Sequence, residues 1–141
     1  MEQVIRVLQI APGQVPQVAY LKPSIEAFNY AVSTGAYEPG VAKSQKLTDS
    51  ISILYFRDEF FMELKANRRV NGEILFGTFL VVGTTEKGLP RSLTLSELDH
   101  YITLFHDTES FTGEEALDAQ LNSFLRHLDE PFPFDVSDYD I

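Results

Sequence analysis

The middle of the chain runs Ile74-Leu75-Phe76-Gly77-Thr78-Phe79-Leu80-Val81-Val82-Gly83, and this stretch decides the fold. Its apolar side chains stand at consecutive positions rather than alternate ones, so both faces of the segment need burial. Shortly before it comes Asn71-Gly72, a strong signal for a two-residue hairpin turn. We therefore predict a strand over residues 74–83 that lies in the centre of a β-sheet.

A hairpin is predicted at the N-terminal end of the chain. Residues 4–10 are rich in β-branched side chains and end before Pro12-Gly13, which predicts a strand with residues 18–21 as its partner. A helix follows: Ser24 is placed to cap it, and Ile25, Phe28 and Val32 recur at helical spacing on one face. Gly35 is expected to end this helix because glycine accepts the left-handed C-cap conformation.

A second hairpin is predicted further along. The apolar run Ile51–Phe56 predicts a strand, Arg57-Asp58-Glu59 a turn, and residues 60–64 the partner strand. Between the two hairpins, residues 37–47 are predicted to be irregular, with a turn at Pro39-Gly40.

Two helices are predicted near the C-terminus, each beginning with a capping box. Thr94 and Glu97 form the first box, Thr112 and Glu115 form the second, and Phe111 is placed as a hydrophobic staple. The stripes predicted to be buried are Leu95, Leu98, Ile102 and Phe105 in the first helix and Leu117, Leu121, Phe124, Leu125 and Leu128 in the second.

These elements predict an α+β protein with a mixed or antiparallel sheet, one helix after the first hairpin, and helices packed on one sheet face. The 141 residues are enough for one domain with its own core. We place that domain at residues 1–128. Residues 129–141 form an acidic, aromatic tail in which Pro131 and Pro133 stop a helix.

The charge of the chain is concentrated at its C-terminal end. Residues 107–141 hold ten acidic side chains and one basic one, whereas residues 1–106 hold eleven acidic and ten basic ones. The formal charge of −10 therefore belongs almost entirely to the last quarter. An acidic segment on a near-neutral body is typical of a solvating or partner-binding appendage.

Several functional classes find no support in the sequence. The absence of cysteine excludes disulfides, thiol catalysis and cysteine-ligated zinc, and fits a cytoplasmic protein. No secretion signal or membrane span is recognisable, and the acidic balance argues against nucleic-acid binding. The three histidines form no H-E-x-x-H pattern, and no nucleophile elbow or phosphate-binding glycine motif is present. We predict no catalytic residue, no metal and no cofactor.

The only dense basic patch is Lys65-Ala66-Asn67-Arg68-Arg69, and it has three interpretations. As a functional site, Asn67, Arg68 and Arg69 would bind an anion, because arginine presents a rigid fork of donors. As a structural element, which we favour, the patch is a loop pinned by hydrogen bonds from Asn67 and Arg68 to backbone carbonyls. The third interpretation is that it holds the acidic tail in cis.

In Pro12-Gly13, Asn67-Arg68 and Gly77-Thr78-Phe79, the chain resembles the domain-of-unknown-function 3846 family of small bacterial proteins. The resemblance covers about residues 4–106 and lies in Pro12-Gly13 after the first strand, the Asn67-Arg68 pair, the Gly77-Thr78-Phe79 strand ending in Val82-Gly83, and the following helix. Leu64-Lys65-Ala66-Asn67 departs from the Leu-Pro-Pro-Asn type of turn expected there. The resemblance implies a protein of a plasmid or phage, encoded near antirestriction genes, and implies no activity.

Three functions from different classes follow. The leading hypothesis is a non-enzymatic protein-binding module of a mobile element, an inhibitor or DNA mimic whose carboxylates engage a basic partner. The alternatives are a small-ligand or anion binder, or an enzyme, using Asn67-Arg68-Arg69, and a homo-oligomeric accessory protein with its tail docked between subunits. The predicted partner-binding residues are Glu109, Glu114, Glu115, Asp118, Asp129, Glu130, Asp135, Asp138 and Asp140.

Overall fold

The computed structural model describes residues 3–33, 42–56 and 64–127. The elements, in chain order, are β1 (Ile5–Ile10), β2 (Gln17–Leu21), α1 (Ile25–Val32), β3 (Ala42–Thr48), β4 (Ile51–Phe56), β5 (Ala66–Val70), β6 (Glu73–Phe76), β7 (Phe79–Thr84), β8 (Pro90–Arg91), α2 (Leu95–Leu104) and α3 (Gly113–His127). None of the helices in these ranges combines the length and the apolarity that a membrane crossing requires.

The predicted α+β class is confirmed, and all the strand pairings in the described ranges are antiparallel. The main sheet has the order β2-β1-β7-β4-β3, with β8 alongside one end of β7. Val81 of β7 pairs with Leu8 of β1 on one side and with Ile53 of β4 on the other. The strand is central, as predicted, because its side chains are buried on both faces.

The prediction of a single strand over residues 74–83 is wrong in one respect, because Gly77 divides the segment into two strands. Gly77 has a φ of 77°, and its N–H donates to the Lys65 carbonyl at 2.8 Å. The preceding half is β6, which forms a separate two-stranded sheet with β5. The predicted Asn71-Gly72 turn joins β5 and β6, with φ values of 51° and 82° that suit this hairpin turn.

The two faces of the main sheet carry different helices, so the prediction of helices on one face is wrong. Leu98, Tyr101 and Phe105 of the α2 region pack with Leu8, Ile53 and Val81 in one core cluster. On the opposite face, Phe28 and Val32 of α1 pack with Val7, Leu80 and Val82, and α3 contributes Ala116 and Ala119 at the margin. A central strand with two buried faces needs a cover on each side, which is why the helices separate.

The helix caps are confirmed by their hydrogen bonds. The Ser24 hydroxyl accepts from the Ala27 N–H at 3.1 Å, and both bonds of the Thr94–Glu97 capping box are present. The buried stripes differ from the prediction at their first residues. Ile25 and Leu95 are exposed, whereas Ala31 and Tyr101 are buried.

The segment predicted to be irregular contains a strand. β3 pairs with β4 over most of its length, from Ala42 opposite Phe56 to Thr48 opposite Ile51. The prediction was wrong because β3 is an outer strand with polar, alternating side chains, and its order comes from the ladder it forms with buried β4.

Several predictions fall on positions that the structure does not describe. They are the helix end at Gly35, the turns at Pro39-Gly40 and Arg57-Asp58-Glu59, most of the strand predicted over residues 60–64, and the tail over residues 129–141.

Candidate functional site

The basic patch lies mostly on β5 rather than on the predicted loop. A register shift between Ala66 and Arg69 turns Asn67 and Arg68 into the protein while Arg69 stays at the surface. A bulge of this kind redirects side chains out of the normal alternation of a strand. Asn67 and Arg68 are consecutive and both buried, whereas a regular strand would point their side chains to opposite faces.

Asn67 is completely buried and joins β5 to two other segments. Its side-chain Nδ2 donates to the Ile10 carbonyl at 2.9 Å and to the Gly77 carbonyl at 2.7 Å. Its Oδ1 accepts from Arg68 Nη1 at 2.7 Å. Both amide hydrogens and the amide oxygen are thereby used within the protein.

Arg68 is 1% exposed, and its guanidinium donates mainly to backbone carbonyls. Nε reaches the Asp107 carbonyl at 3.2 Å, Nη1 reaches the Ala11 carbonyl at 3.3 Å, and Nη2 reaches the Gln14 carbonyl at 2.5 Å. Burial lowers the pKa of Arg68, and the carboxylates of Glu109 and Asp107 act in the opposite direction. The side chain joins the β1–β2 loop, β5 and the segment that follows α2.

These bonds are what the structural interpretation of the patch predicts. In the ranges described, no buried side-chain nitrogen or oxygen lacks a hydrogen-bond partner. Each side-chain nitrogen of Asn67 and Arg68 therefore donates to an oxygen of this chain, and four of the five Arg68 N–H groups are used in this way. Of the three predicted anion-binding residues, Asn67 and Arg68 are buried and only Arg69 has its side chain at the surface.

Arg69 is held by acidic residues of the C-terminal region. Its Nη1 lies 3.2 Å from Glu109 Oε2 and its Nη2 lies 2.8 Å from Glu115 Oε2, while its backbone N–H donates to Glu109 Oε1 at 3.1 Å. The guanidinium carbon stands 4.8 Å from the ring centroid of Phe111. The patch thus binds acids of this chain, although they precede the tail that the third interpretation named.

Glu115 has a second role at the start of α3. Its Oε1 accepts from the Thr112 N–H at 3.2 Å, and the Thr112 hydroxyl accepts from the Glu115 N–H at 3.0 Å, which confirms the second capping box. These bonds and the Arg69 guanidinium lower the pKa of Glu115. Glu109 and Glu115, both predicted to bind a partner, are therefore engaged within the molecule.

Glu114 and Asp118 differ from these two acids, because both are exposed on α3 and neither forms an ion pair with a described residue. They share one side of the helix with exposed leucines. At 3.6 residues per turn, this side spans an arc of about 100°. We call it the α3 outer face, and its members are Glu114, Leu117, Asp118, Leu121 and Leu125.

The α3 outer face corrects the predicted packing of the helix. Leu117, Leu121 and Leu125 are 57%, 45% and 50% exposed, so these members of the predicted stripe are not buried. The opposite side carries Ala116 and Ala119, which pack against the core. Small side chains allow the helix backbone to approach the β5–β6 hairpin, and the periodicity of the leucines gave no signal of this.

The remaining predicted partner-binding acids, Asp129, Glu130, Asp135, Asp138 and Asp140, lie outside the described residues. Within the described ranges, no group of three or more histidine or acidic side chains is arranged to hold a metal ion. Comparison of the chain with models of protein families, with curated proteins and with solved structures gave no match. The resemblance noted from the sequence stays a prediction.

Proposed function

We propose that this chain is a non-enzymatic protein-binding module whose acidic C-terminal region, led by the α3 outer face, binds a partner with a basic rim and an apolar groove. The observation that supports the proposal is that exposed leucines and two carboxylates with no ion-pair partner among the described residues share one side of a helix whose other side is packed. Each part of that observation contributes a different property to binding.

The leucines supply contact area. Leu117, Leu121 and Leu125 follow one another at one-turn intervals, which is the spacing by which an amphipathic helix lies in the groove of a partner. Single exposed leucines are common on soluble proteins, but three in a row on one helix face form a continuous apolar strip. The strip favours a protein surface as the partner rather than a small ion.

The carboxylates attract the partner electrostatically and select for a basic surface. Glu114 and Asp118 flank the strip at its N-terminal end, within a segment whose ten acids outnumber its single basic residue. Such a field attracts basic surfaces and repels acidic ones. Carboxylates spaced along a surface imitate phosphates, so a DNA-binding enzyme is the partner that this chemistry fits best. The resemblance to mobile-element proteins agrees with such a target.

The Arg69 contacts orient the helix. Glu109 and Glu115 lie on either side of the point where α3 begins, and Arg69 binds both. The ion pairs therefore hold the start of α3 against the β5–β6 hairpin with the outer face turned to solvent. A surface that is ordered before binding loses less conformational entropy when the partner arrives.

The experiment compares two double variants with the same change in charge. Glu114→Gln/Asp118→Asn alters the α3 outer face, and Glu86→Gln/Asp99→Asn alters exposed acids on the β7–β8 turn and on α2. The full-length proteins are immobilised and exposed to a bacterial extract cleared of nucleic acid, and retained proteins are quantified by mass spectrometry. A third variant, Leu121→Ala, tests the apolar strip.

We expect the unaltered chain to retain a protein from the extract. The amount retained should fall at least tenfold for Glu114→Gln/Asp118→Asn and for Leu121→Ala, and should be unchanged for the control variant. Duplex DNA should displace the retained protein. Retention that is equal for the outer-face and control variants would overturn the proposal. Retention that needs the acids but is unaffected by DNA would keep the protein-binding function and exclude DNA mimicry.

The structure gives the two alternatives less support. The anion-binding hypothesis needs the donors of Asn67 and Arg68, which are bonded to protein oxygens. The oligomer with a docked tail depends on residues 129–141, which are not described. Both stay predictions.

A further inference from the structure

The two outer strands of the main sheet differ in how they are protected. In the described part of the chain, β2 and β3 each pair on one side only, so each presents backbone N–H and C=O groups at its outer edge. An unpaired edge accepts another strand unless charge or irregular geometry prevents it.

The β3 edge carries both kinds of protection. Lys43 and Lys46 lie within this strand, and the pairing with β4 shifts register between Lys46 and Thr48. Lysines and bulges are the features by which natural sheets discourage edge-to-edge association.

The β2 edge carries neither. Gln17–Leu21 contains no charged residue, and its five residues pair with β1 without a register shift. Val18 and Tyr20 are 43% and 62% exposed and lie opposite Leu8 and Arg6, on the sheet face that α2 covers. The strand is thus regular and uncharged, with two apolar side chains that nothing in the described structure buries.

The sequence of β2 also complements itself. In an antiparallel pair of two β2 strands, only a two-fold axis at Ala19 pairs all five residues of each strand. That register places each Val18 opposite the Tyr20 of the other strand. Aromatic and β-branched side chains form favourable cross-strand pairs. No charged side chain of the strand faces another across the axis, so the pairing carries no charge repulsion of its own.

We propose that β2 is a strand-addition site for a second copy of this chain, joining two six-stranded sheets through an antiparallel β2–β2 ladder centred on Ala19. The interface is isologous, as expected for a dimer with two-fold symmetry. It uses a different part of the molecule from the α3 outer face and does not depend on the proposed function.

The absence of cysteine allows a direct test of the register. In the proposed dimer the two Ala19 positions stand directly opposite, with Cα atoms about 4.5–5.5 Å apart, which is within the range that a disulfide spans. Oxidised glutathione should therefore convert the full-length Ala19→Cys variant to a covalent dimer. The matched control is Leu89→Cys, because Leu89 is exposed on the β7–β8 turn. We expect at least tenfold less cross-linking of the control.

Light scattering over a concentration series tests the association without cross-linking. Val18→Lys places a charge at the edge, and we expect it to raise the dimer dissociation constant at least tenfold. Leu89→Lys makes the same change in charge elsewhere and should leave that constant unchanged, as should Glu114→Gln/Asp118→Asn.

Together these measurements decide the proposal. A dimer that Val18→Lys dissociates and Ala19→Cys traps supports it. A protein that stays monomeric at high concentration overturns it. So does a dimer insensitive to Val18→Lys, which would assign association to another surface, and so does equal cross-linking of the Ala19→Cys and Leu89→Cys variants.

Discussion

The guanidinium of Arg68 is buried, no carboxylate of the described residues lies within hydrogen-bonding distance of it, and its acceptors there are oxygens of uncharged groups. Such a group is tolerated in a protein interior when its donors are satisfied. Because those oxygens come from the β1–β2 loop, β5 and the segment after α2, one side chain links three parts of the chain that are distant in sequence. Its role is architectural.

We expect Arg68→Met to lower the free energy of unfolding by about 2–4 kcal/mol, since three backbone carbonyls and the buried Asn67 amide oxygen lose their donor. Arg68→Lys should lose nearly as much, because an ammonium cannot reproduce the planar fork. Urea denaturation measures both. Lys87→Met, at an exposed turn, is the control and should change stability by less than about 0.5 kcal/mol. A loss below about 1 kcal/mol for Arg68→Met would contradict the architectural role.

Gly77 is the other residue whose place decides the architecture. We expect Gly77→Ala to destabilise the protein more than Gly88→Ala, although both glycines have φ near 80°. A Cβ at Gly77 would stand 3.2 Å from a Leu64 methyl carbon, whereas a Cβ at Gly88 would meet nothing within 4 Å. The left-handed conformation alone costs about 1–2 kcal/mol for alanine. Equal losses in thermal unfolding would show that the Leu64 contact adds nothing.

At the scale of elements, α2 is fixed by a network at its N-terminus. Glu97 completes the capping box with Thr94 and also forms two bonds with Arg91, at 2.8 and 2.9 Å. The Arg91 guanidinium is the main reason why the pKa of Glu97 falls to about 2, and the bonds to Thr94 add to it. The hydrogen bonds with Glu97 also raise the pKa of Arg91. This network joins β8 to α2.

Stability should depend on the charge of Glu97 in acid. Its pKa lies below the ordinary value of 4.5, so the stabilisation is complete above about pH 4.5 and is lost as the pH falls toward about 2. A fall from 4.5 to about 2 corresponds to roughly 3 kcal/mol. Denaturation of Glu97→Gln and of the unaltered chain from pH 6 to pH 2.5 should give a difference that shrinks across this window. A difference that stays constant with pH would contradict the prediction.

The start of α3 is held by exposed ion pairs, which contribute less. The Arg69, Glu109 and Glu115 side chains are each 34–47% exposed, and solvent weakens ion pairs at such positions. We expect Arg69→Ala to leave global stability nearly unchanged and to speed hydrogen exchange in the first turns of α3. Exchange in α2 serves as the internal control. Unchanged exchange in α3 would mean that Ala116 and Ala119 alone hold the helix.

At the scale of the whole molecule, surfaces that differ in charge and in exposed apolar side chains lie on separate elements. The α3 outer face combines acids with leucines, the β2 edge is uncharged, and the β3 edge carries lysines. A molecule built in this way can associate with itself through one surface and bind a basic partner through another, because the two surfaces share no residue.

This separation predicts the effect of removing the tail. We expect a chain ending at Leu128 to have the same number of subunits by light scattering as the full chain, because β2 is retained. Removal of residues 129–141 should weaken capture of a basic partner, because five acids are lost. A dimer that becomes monomeric on truncation would favour the docked-tail alternative over the β2 edge.

Local sequence determined the parts of the fold whose signals are complete within a few residues. Ser24, the two capping boxes and the Asn71-Gly72 turn were predicted because each is satisfied by groups two to four positions away. The consecutive apolar residues of β7 predicted a central strand for a similar reason. The concentration of negative charge after residue 106 is also a property of sequence alone.

Tertiary structure decided everything that depends on a distant partner. β3 is ordered by β4, Gly77 turns because Lys65 and Leu64 meet it, and Arg68 is buried because the carbonyls of Ala11, Gln14 and Asp107 converge on it. The side of α3 that packs was chosen by the fit of two alanines to the β5–β6 hairpin, against the stronger periodicity of the leucines. Hydrophobicity predicts which side chains gain free energy from burial. Only the shapes of the packed elements determine which of those side chains are buried.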